Sequence, residues 1–282
     1  MKPIPLSSSP RWADRFFVTG LIALGGIYVV LILLLLLADI AFTRWSHFAE
    51  TLSRPELQHA IKLTFATCTI SAILSLWVAV PLGYFMSRFQ FPGKSLLDAL
   101  LDVPIVLPPL VIGLSLLILF HLKEIPGWNW GTNLETWLRE RFHLQVTFAV
   151  PAVILSQFAV ACAFAVRTMR VTFDQINPRA ELVALTLGAS RGRAFFEIVL
   201  PQAWRGVVTA FTLAWARSLG EFGPIMVFAG ATRMKTEVLS TSVFLELSVG
   251  RLEPAVAISL VMVAVAMLVL VIVRFLGART GQ

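Results

Sequence analysis

Long blocks without Asp, Glu, Lys or Arg limit the fold of this chain more than any other feature of its sequence. Each block reaches about 20 residues, the length that a helix needs to cross a bilayer. The blocks are Phe16–Ala38, Leu63–Ser87, Val103–Leu122, Leu144–Val166 and Pro254–Val273. A sixth apolar segment, about Gly206–Thr232, is interrupted by Arg217 and Glu221. Because hydrocarbon cannot satisfy free backbone groups, spanning segments of this length are helices. The sequence therefore predicts an all-α membrane protein with six transmembrane helices.

Composition supports a membrane protein. Hydrophobic residues make up 57% of the chain and charged residues 14%, whereas a soluble domain carries about a quarter charged residues. The first block has 23 uncharged residues and no small-residue cleavage pattern after it, so we interpret it as a retained helix rather than a signal peptide.

The distribution of Lys and Arg predicts the orientation. With six spans both termini share one side, and that side collects 13 of the 23 Lys and Arg against nine on the other, with Arg217 in the membrane. The positive-inside rule then places both termini in the cytoplasm. Residues 1–15 and 277–282 are predicted cytoplasmic tails. The net charge of +7 is therefore explained by membrane orientation, and we expect no nucleic-acid partner.

The longest internal loop, Arg167–Arg205, has the pattern of two short helices. Asn177 and Pro178 form an N-cap followed by a first-turn proline. Apolar residues then recur at helical spacing and share one face: Ala180, Val183, Ala184 and Leu187. Gly188 is placed to end this helix.

Ser190 is placed to cap the second short helix of this loop, which we expect Pro201 to end. Phe195 and Ile198 lie on its apolar side. The apolar faces of the two helices must be covered. They pack either against the chain's own helix ends or against a cytoplasmic partner.

The stretch "ELVALTLGASRGRAFFEIVLP" resembles the signature loop of bacterial and archaeal ATP-binding-cassette (ABC) import permeases of type I. The residues that match the signature in register are Glu181, Ala184, Gly188, Ile198, Leu200 and Pro201. Leu182 and Val183 depart from it, since the family commonly has small or polar residues there. The resemblance covers about residues 60–276, with the coupling loop at about 168–205. The first helix and its external loop, residues 16–59, are a variable addition.

The resemblance implies that this loop is a coupling helix seated in a cleft on a separate ABC ATPase. Gly188 would bring the backbone close to the ATPase, and Glu181 and the arginines of the loop would pair across the interface. The implied complex has two ATPase copies, a second permease copy and an external substrate-binding protein. The permease pair is a homodimer, with a heterodimer as the alternative. The implied location is the inner or plasma membrane of a prokaryote.

The chain itself is expected to be neither an enzyme nor a cofactor-binding protein, because ATP is used by the partner ATPase. The stretch "FPGKS" lacks the glycine that a phosphate-binding loop needs five residues before Gly93, where Arg88 stands. No His or Cys has metal-ligand spacing, so no metal is expected either.

The stretch "SLGEFGPIMVFAG" places a carboxylate inside a predicted span. Arg217 and Glu221 are four residues apart, so their side chains can meet on one helix. Gly220, Gly223 and Pro224 favour a break in that helix. Broken helices in transporters usually line the pathway, but the pair could instead only tie helices together.

Two prolines, Pro108 and Pro109, lie near the start of the third span. Either they kink that helix at the membrane edge or they line the pathway, because prolines inside a span leave backbone carbonyls that neighbouring helices or water must satisfy.

The stretch "ARSLGEFG" followed by "FAG" resembles permeases for tetrahedral oxyanions, and molybdate or tungstate more than sulfate. An importer permease for sulfate or thiosulfate is the alternative. A secondary transporter or channel would show inverted repeats or several intramembrane charges, and a membrane enzyme would show a catalytic constellation. None of these features is visible in the sequence.

Overall fold

The computed structural model describes the backbone of residues 12–43, 45–122, 124–125, 128–129 and 133–279. Most of the predicted tail over residues 1–15 and the end of the tail over 277–282 lie outside these described residues.

The regular secondary structure of the described chain is helical apart from one two-stranded ribbon, β1 (Glu124–Ile125) against β2 (Trp128–Asn129). The helices are α1 (Trp12–Phe42), α2 (Trp45–Ser53), α3 (Pro55–Arg88), α4 (Lys94–Val106), α5 (Pro109–His121), α6 (Leu134–Phe142), α7 (Val150–Gln175), α8 (Arg179–Thr186), α9 (Arg191–Ala194), α10 (Leu200–Leu219), α11 (Leu239–Ser248) and α12 (Leu252–Arg279). Two π-helical turns, Phe195–Val199 and Ile225–Ala229, precede and follow α10.

The predicted set of spans is only partly present as single helices. In the described part of the chain, α1, α3, α7 and α12 are long and apolar enough to cross a membrane. The pair α4 and α5 makes a fifth span if the two are counted together. The predicted sixth segment is α10, which carries Arg205 and Arg217, does not meet the same criterion and ends at Leu219. The all-helical membrane fold is confirmed, but the count of six is not reached by length and composition alone.

The third predicted span is broken rather than kinked. Leu107 and Pro108 are extended, and α5 begins at Pro109, 110° away from the direction of α4. Proline disfavours the α conformation in the residue before it and has no N–H for the helix ladder. Two prolines in succession therefore stop α4 and allow a new helix to start in another direction.

The core lies where α3, α7 and α10 pack together around small residues. Buried alanines include Ala72, Ala161 and Ala214, and small side chains let helix backbones approach closely. Gln157 is 1% exposed and joins α7 to α10 by donating from Nε2 to the Ser218 carbonyl over 3.3 Å. Ser71 of α3 donates to the Ile154 carbonyl of α7 over 3.0 Å. This core fixes the three helices whose ends carry the features described next.

Candidate functional site

The first candidate feature is the segment that carries α8 and α9. Asn177 Oδ1 accepts a hydrogen bond from the Arg179 N–H over 3.0 Å at the start of α8. Gly188 has φ +90°, a left-handed conformation that favours glycine, and the Ala189 N–H donates back to the Ala184 carbonyl over 3.0 Å. The predicted helix after Pro178 and its end at Gly188 are therefore confirmed.

The second short helix begins as predicted but does not end at Pro201. Ser190 Oγ accepts from the Arg193 N–H over 3.2 Å and caps α9. The chain then widens into the π-helical turn, in which the Leu200 N–H donates to the Phe195 carbonyl five residues earlier. Pro201 sits in the first turn of α10, where it needs no donor. The prediction that Pro201 ends the helix was wrong, because the π-helical turn accommodates the proline and leads directly into α10.

Glu181 points into the protein and not toward a partner. Its side chain is 10% exposed, and Oε2 lies 3.2 Å from Nε of Arg88 in the last turn of α3. The Tyr84 hydroxyl donates to Oε1 of the same carboxylate. Arg88 also donates to the Ile176 carbonyl over 3.0 Å, so α3 holds both ends of the short connection into α8. The expectation that Glu181 pairs across an interface is therefore corrected, since α3 already provides its partners.

The surface of this segment is apolar and open. Leu187 is 83% exposed and Phe196 is 67% exposed, and Leu182 and Val183 are each more than half exposed. Of the face predicted from the spacing, Ala184 is buried at 9% exposure. A Cβ added to Gly188 would meet no atom within 4 Å. We call this exposed patch (Leu182, Val183, Leu187, Gly188 and Phe196) the apolar knob.

The other signature residues lie where the segment joins α10. Ile198 and Leu200 are half-buried and Pro201 is exposed. They form the stem that joins the apolar knob to α10, a long core helix.

The second candidate feature is the ion pair at the end of α10, between its last turn and the break that follows it. Arg217 Nη1 lies 2.6 Å from Oε2 of Glu221. The Glu221 side chain is 1% exposed, whereas the Arg217 side chain is 28% exposed and its guanidinium also lies over the Phe164 ring at 5.7 Å. The predicted contact between the two charges is present. A buried carboxylate with a partly exposed arginine costs less than either charge alone in an apolar environment.

The two broken helices meet each other. A Cβ on Gly223 would lie 2.9 Å from the Leu110 backbone nitrogen, and a Cβ on Gly113 would lie 2.6 Å from Pro224 Cα. Both glycines are thus required for backbone contact between the start of α5 and the segment after α10. The sequence predicted a kink or a pathway-lining role at Pro108 and Pro109, and a break only near Gly223. The structure brings Pro109 and Gly223 to one place. Gly220, by contrast, ends α10 in ordinary geometry, and a Cβ added there would come no closer than 4.0 Å to an atom of the described chain, the Arg217 carbonyl oxygen.

A groove between α7 and α10, lined by both polar and apolar side chains, was not predicted from the sequence. It has a volume of about 580 Å³ and lies between one face of α7 with the residue that follows it, from Phe164 to Ile176, and one face of α10, from Gln202 to Leu213. Its polar side chains recur at three- and four-residue spacing within segments that read as apolar or as a loop. That spacing was the available signal, but it becomes visible only when both helices are aligned.

A separate polar cluster lies outside the membrane-spanning helices, around Glu237. This residue is 4% exposed, and Oε1 accepts from Ser242 Oγ over 2.9 Å. Burial raises the pKa of Glu237 above its ordinary value, and the hydrogen bond from Ser242 and the charge of Arg233 offset only part of that rise. Arg233 is itself paired with Glu246 at 2.8 Å.

The described part of the chain contains no group of three His, Cys, Asp or Glu side chains placed to hold a metal ion. Cys68 and Cys162 are both free thiols.

Comparisons with known proteins give a consistent result. Residues 79–282 match the family model described as binding-protein-dependent transport system inner membrane component. The sulfate transport system permease protein CysT of Escherichia coli (strain K12) is 32% identical over 91% of each chain. The molybdenum transport system permease protein ModB of Mycobacterium tuberculosis (strain ATCC 25618 / H37Rv) is 33% identical over 98% of this chain and 97% of its own. The molybdate/tungstate transport system permease protein WtpB of Thermococcus kodakarensis (strain ATCC BAA-918 / JCM 12380 / KOD1) is 31% identical over 82% of this chain and 83% of its own.

One similar solved structure is a bacterial alginate ABC transporter in complex with an alginate pentasaccharide-bound periplasmic protein. A chain of that complex superposes with a TM-score of 0.72 over 96% of both chains at 18% identity. At that identity the likeness concerns the fold alone.

Proposed function

The chain belongs to the family of binding-protein-dependent transport system inner membrane components, and from this membership we propose that it is the permease subunit of an ABC importer for a tetrahedral oxyanion. Its relatives named above are sulfate, molybdenum and molybdate/tungstate permeases. The sequence favoured molybdate or tungstate. A sulfate importer is the second candidate, because the CysT relative is as similar as the molybdate relatives.

The observation that carries the coupling role is the apolar knob on a rigid stem. Leu187 is 83% exposed beside a glycine with φ +90°. The knob belongs to the segment that connects α7 to α10 along the chain and is not part of a membrane span. Its surface must therefore face water or another protein. An exposed apolar patch rimmed by polar residues is typical of a protein interaction site. We assign it to an ATPase subunit, with two ATPase copies serving two permease copies and with both termini on the ATPase side.

The stem explains how movement of an ATPase would reach the pathway. Glu181 ties the segment to α3 through Arg88, and the π-helical turn makes α9 continuous with α10. A displacement of the knob therefore moves α3 and α10 together. At its far end α10 carries Arg217 in its last turn and leads into the break that holds Glu221 and packs on Pro109. This junction of two broken helices is the proposed gate, opposite which an external binding protein delivers the cargo.

The test of cargo is ATP-driven uptake of labelled molybdate into vesicles that hold the full complex. Block by low tungstate with sulfate ineffective assigns molybdate and tungstate. Block by sulfate at a similar concentration assigns sulfate. If none of the three anions is taken up while the complex still hydrolyses ATP, the oxyanion assignment is wrong. A permease that purifies without an ATPase and transports without ATP would contradict the importer class and favour a secondary transporter.

A further inference from the structure

We propose that the groove between α7 and α10 is an anion-binding station through which the cargo leaves the gate, with Arg205 and Arg167 as its cationic ligands. This inference rests on the proposed function for the identity of the anion.

The composition of the groove matches a tetrahedral oxyanion. Its charged lining residues are Arg167 on α7 and Arg205 on α10, and none of the described residues that line it is Asp or Glu. Three threonines and the amides of Gln175 and Gln202 supply neutral polar groups around the two guanidiniums. Guanidinium groups present several N–H donors in a planar fork that suits oxyanions, and amides add further donors.

The two arginines are available to different degrees. Arg205 is exposed, and no carboxylate of the described chain lies within ion-pair distance of its guanidinium. Arg167 donates from Nη1 to both carboxylate oxygens of Asp102 in α4, each at 2.7 Å, while its side chain remains 63% exposed. Arg167 therefore already donates to one carboxylate from the α4 side. A cargo anion would compete with that carboxylate.

The threonines define the geometry more than the affinity. Thr168, Thr172 and Thr209 each donate their hydroxyl hydrogen to the carbonyl four residues earlier, at 2.8 Å. Their hydroxyl hydrogens are therefore occupied, so the donors left for an anion are those of Arg205, Gln175 and Gln202 and those of Arg167 other than the Nη1 that Asp102 engages. Gly206 allows Thr172 to pack directly on α10, since a Cβ there would lie 2.2 Å from the threonine side chain. This contact fixes the spacing of the two helices beneath the groove.

The groove also extends from the proposed gate toward the segment that carries the apolar knob. Its inner end is Phe164, over whose ring the Arg217 guanidinium lies at 5.7 Å. The end of the groove that lies toward the ATPase is formed by Gln175 and Gln202, next to the segment with the apolar knob. Arg217 is paired with Glu221 and Arg167 with Asp102, so Arg205 is the one of these three arginines that no carboxylate of the described chain pairs with. Its unpaired positive charge, toward the ATPase end of the groove, attracts an anion.

The test uses the reconstituted importer with three changes in the groove. Arg205→Gln removes a cation, Gln202→Glu adds a negative charge without a change of shape, and Asp102→Asn frees Arg167. Matched controls outside the groove are Arg139→Gln and Gln58→Glu, both at exposed positions. Binding is read independently of transport from the rate at which a thiol reagent modifies Thr209→Cys, in a chain with Cys68 and Cys162 replaced by alanine. Sulfate or molybdate is compared with chloride at equal ionic strength.

We expect sulfate or molybdate to protect the cysteine in the otherwise unchanged groove. Arg205→Gln and Gln202→Glu should each raise the anion concentration for half protection by about tenfold, as expected for loss of a hydrogen bond to a charged group. Asp102→Asn should lower it. Uptake should fall in the first two variants while ATP hydrolysis continues, and Arg205→Lys should restore part of it.

The outcomes separate this site from the proposed function. Uptake by the unmodified importer without protection of the cysteine, or with no effect of Arg205→Gln, overturns the anion station and leaves the importer standing. Protection in a complex that takes up none of the three anions supports the station and rejects the cargo assignment. If Arg205→Gln and Gln202→Glu instead release the ATPase or separate the two permease copies, the groove is a docking surface and the inference fails.

Discussion

Arg88 Nε in α3 lies 3.2 Å from Oε2 of Glu181 in α8, so a nearly buried ion pair joins the exposed apolar knob to a core helix. Glu181→Ala leaves the Arg88 guanidinium without its carboxylate at 13% exposure. We expect the free energy of unfolding to fall by about 3–5 kcal/mol, the range for breaking one side of a buried pair. We also expect ATP hydrolysis to continue with little uptake, because the tie to α3 is lost while the docking surface remains. Uptake per ATP hydrolysed is the measurement.

The control for this pair is a double-mutant cycle with Glu181→Gln and Arg88→Gln. Because the two side chains are in contact, the double variant should be more stable than the sum of the single changes by about 0.5–3 kcal/mol. Additive effects would show that the pair contributes nothing, and normal uptake per ATP in Glu181→Ala would show that it does not couple.

Leu187 tests whether the apolar knob binds the ATPase. The side chain is 83% exposed, so Leu187→Ser should leave the thermal stability of the permease unchanged. Removing a leucine from a protein interface lowers affinity by about 1.5 kcal/mol, or tenfold. We therefore expect the ATPase to co-purify with this variant about tenfold less well. Leu252→Ser, at a 55% exposed leucine of α12, is the control. Equal loss in both variants would contradict a docking role for the knob.

The contact between the two broken helices predicts a steric effect of glycine substitution. Gly113→Ala places a methyl group 2.6 Å from Pro224 Cα, where backbone and not a flexible side chain must move. Overpacking of this kind destabilises by about 1–3 kcal/mol, and transport should fall with it. Gly25→Ala in α1, where a Cβ meets no atom within 4 Å, should be neutral. Thermal unfolding in detergent checks both, and an unchanged Gly113→Ala variant would argue against the close approach.

The sequence predicted those features that depend on local chemistry. Block length gave the membrane helices, and Asn177, Ser190 and Gly188 marked helix starts and ends that the structure confirms. These signals work because a cap or a left-handed glycine acts within a few residues. The four-residue spacing of Arg217 and Glu221 predicted their contact for the same reason.

Features that depend on distant parts of the chain were missed. The partner of Glu181 is 93 positions away in α3, and no local pattern distinguishes an inward from an outward carboxylate at the end of a short helix. Pro201 was predicted to end the second short helix because the π-helical turn that accommodates this proline has no clear sequence signal. The meeting of Pro109 with Gly223, and the groove that contains Arg205, arise from tertiary packing of helices far apart in sequence.

Glu237 predicts a pH dependence of stability. Because burial raises the pKa of Glu237 in the folded protein, the folded state holds this proton more tightly than the unfolded state does. Stability then falls as pH rises from the ordinary carboxyl pKa through the raised folded value, and is constant above it. Glu237→Gln removes the ionisable carboxyl group and therefore also this loss of stability with rising pH. We expect the variant to be more thermally stable than the unmodified protein at pH 8, by a margin that shrinks toward pH 4.5.

The control for the pH experiment is Glu140→Gln, at an exposed carboxylate of α6. The stability of this variant should change with pH in the same way as that of the unmodified protein. A Glu237→Gln variant whose stability falls as steeply with pH as that of the unmodified protein would show that Glu237 carries no raised pKa.

The Arg217–Glu221 pair gives an ordering of three variants. Arg217→Gln leaves a 1% exposed carboxylate without its cation, whereas Glu221→Gln leaves an arginine that is 28% exposed and reaches solvent. Breaking a buried pair from one side costs about 3–5 kcal/mol, while replacing both charges is often neutral. We therefore expect Arg217→Gln to be the least stable, Glu221→Gln intermediate, and the double variant close to the unmodified protein in thermal unfolding. Uptake distinguishes a structural role of the pair from a role in gating. If the double variant is stable and transports normally, the pair only holds helices together. If the double variant folds but does not transport, the pair is part of the gate.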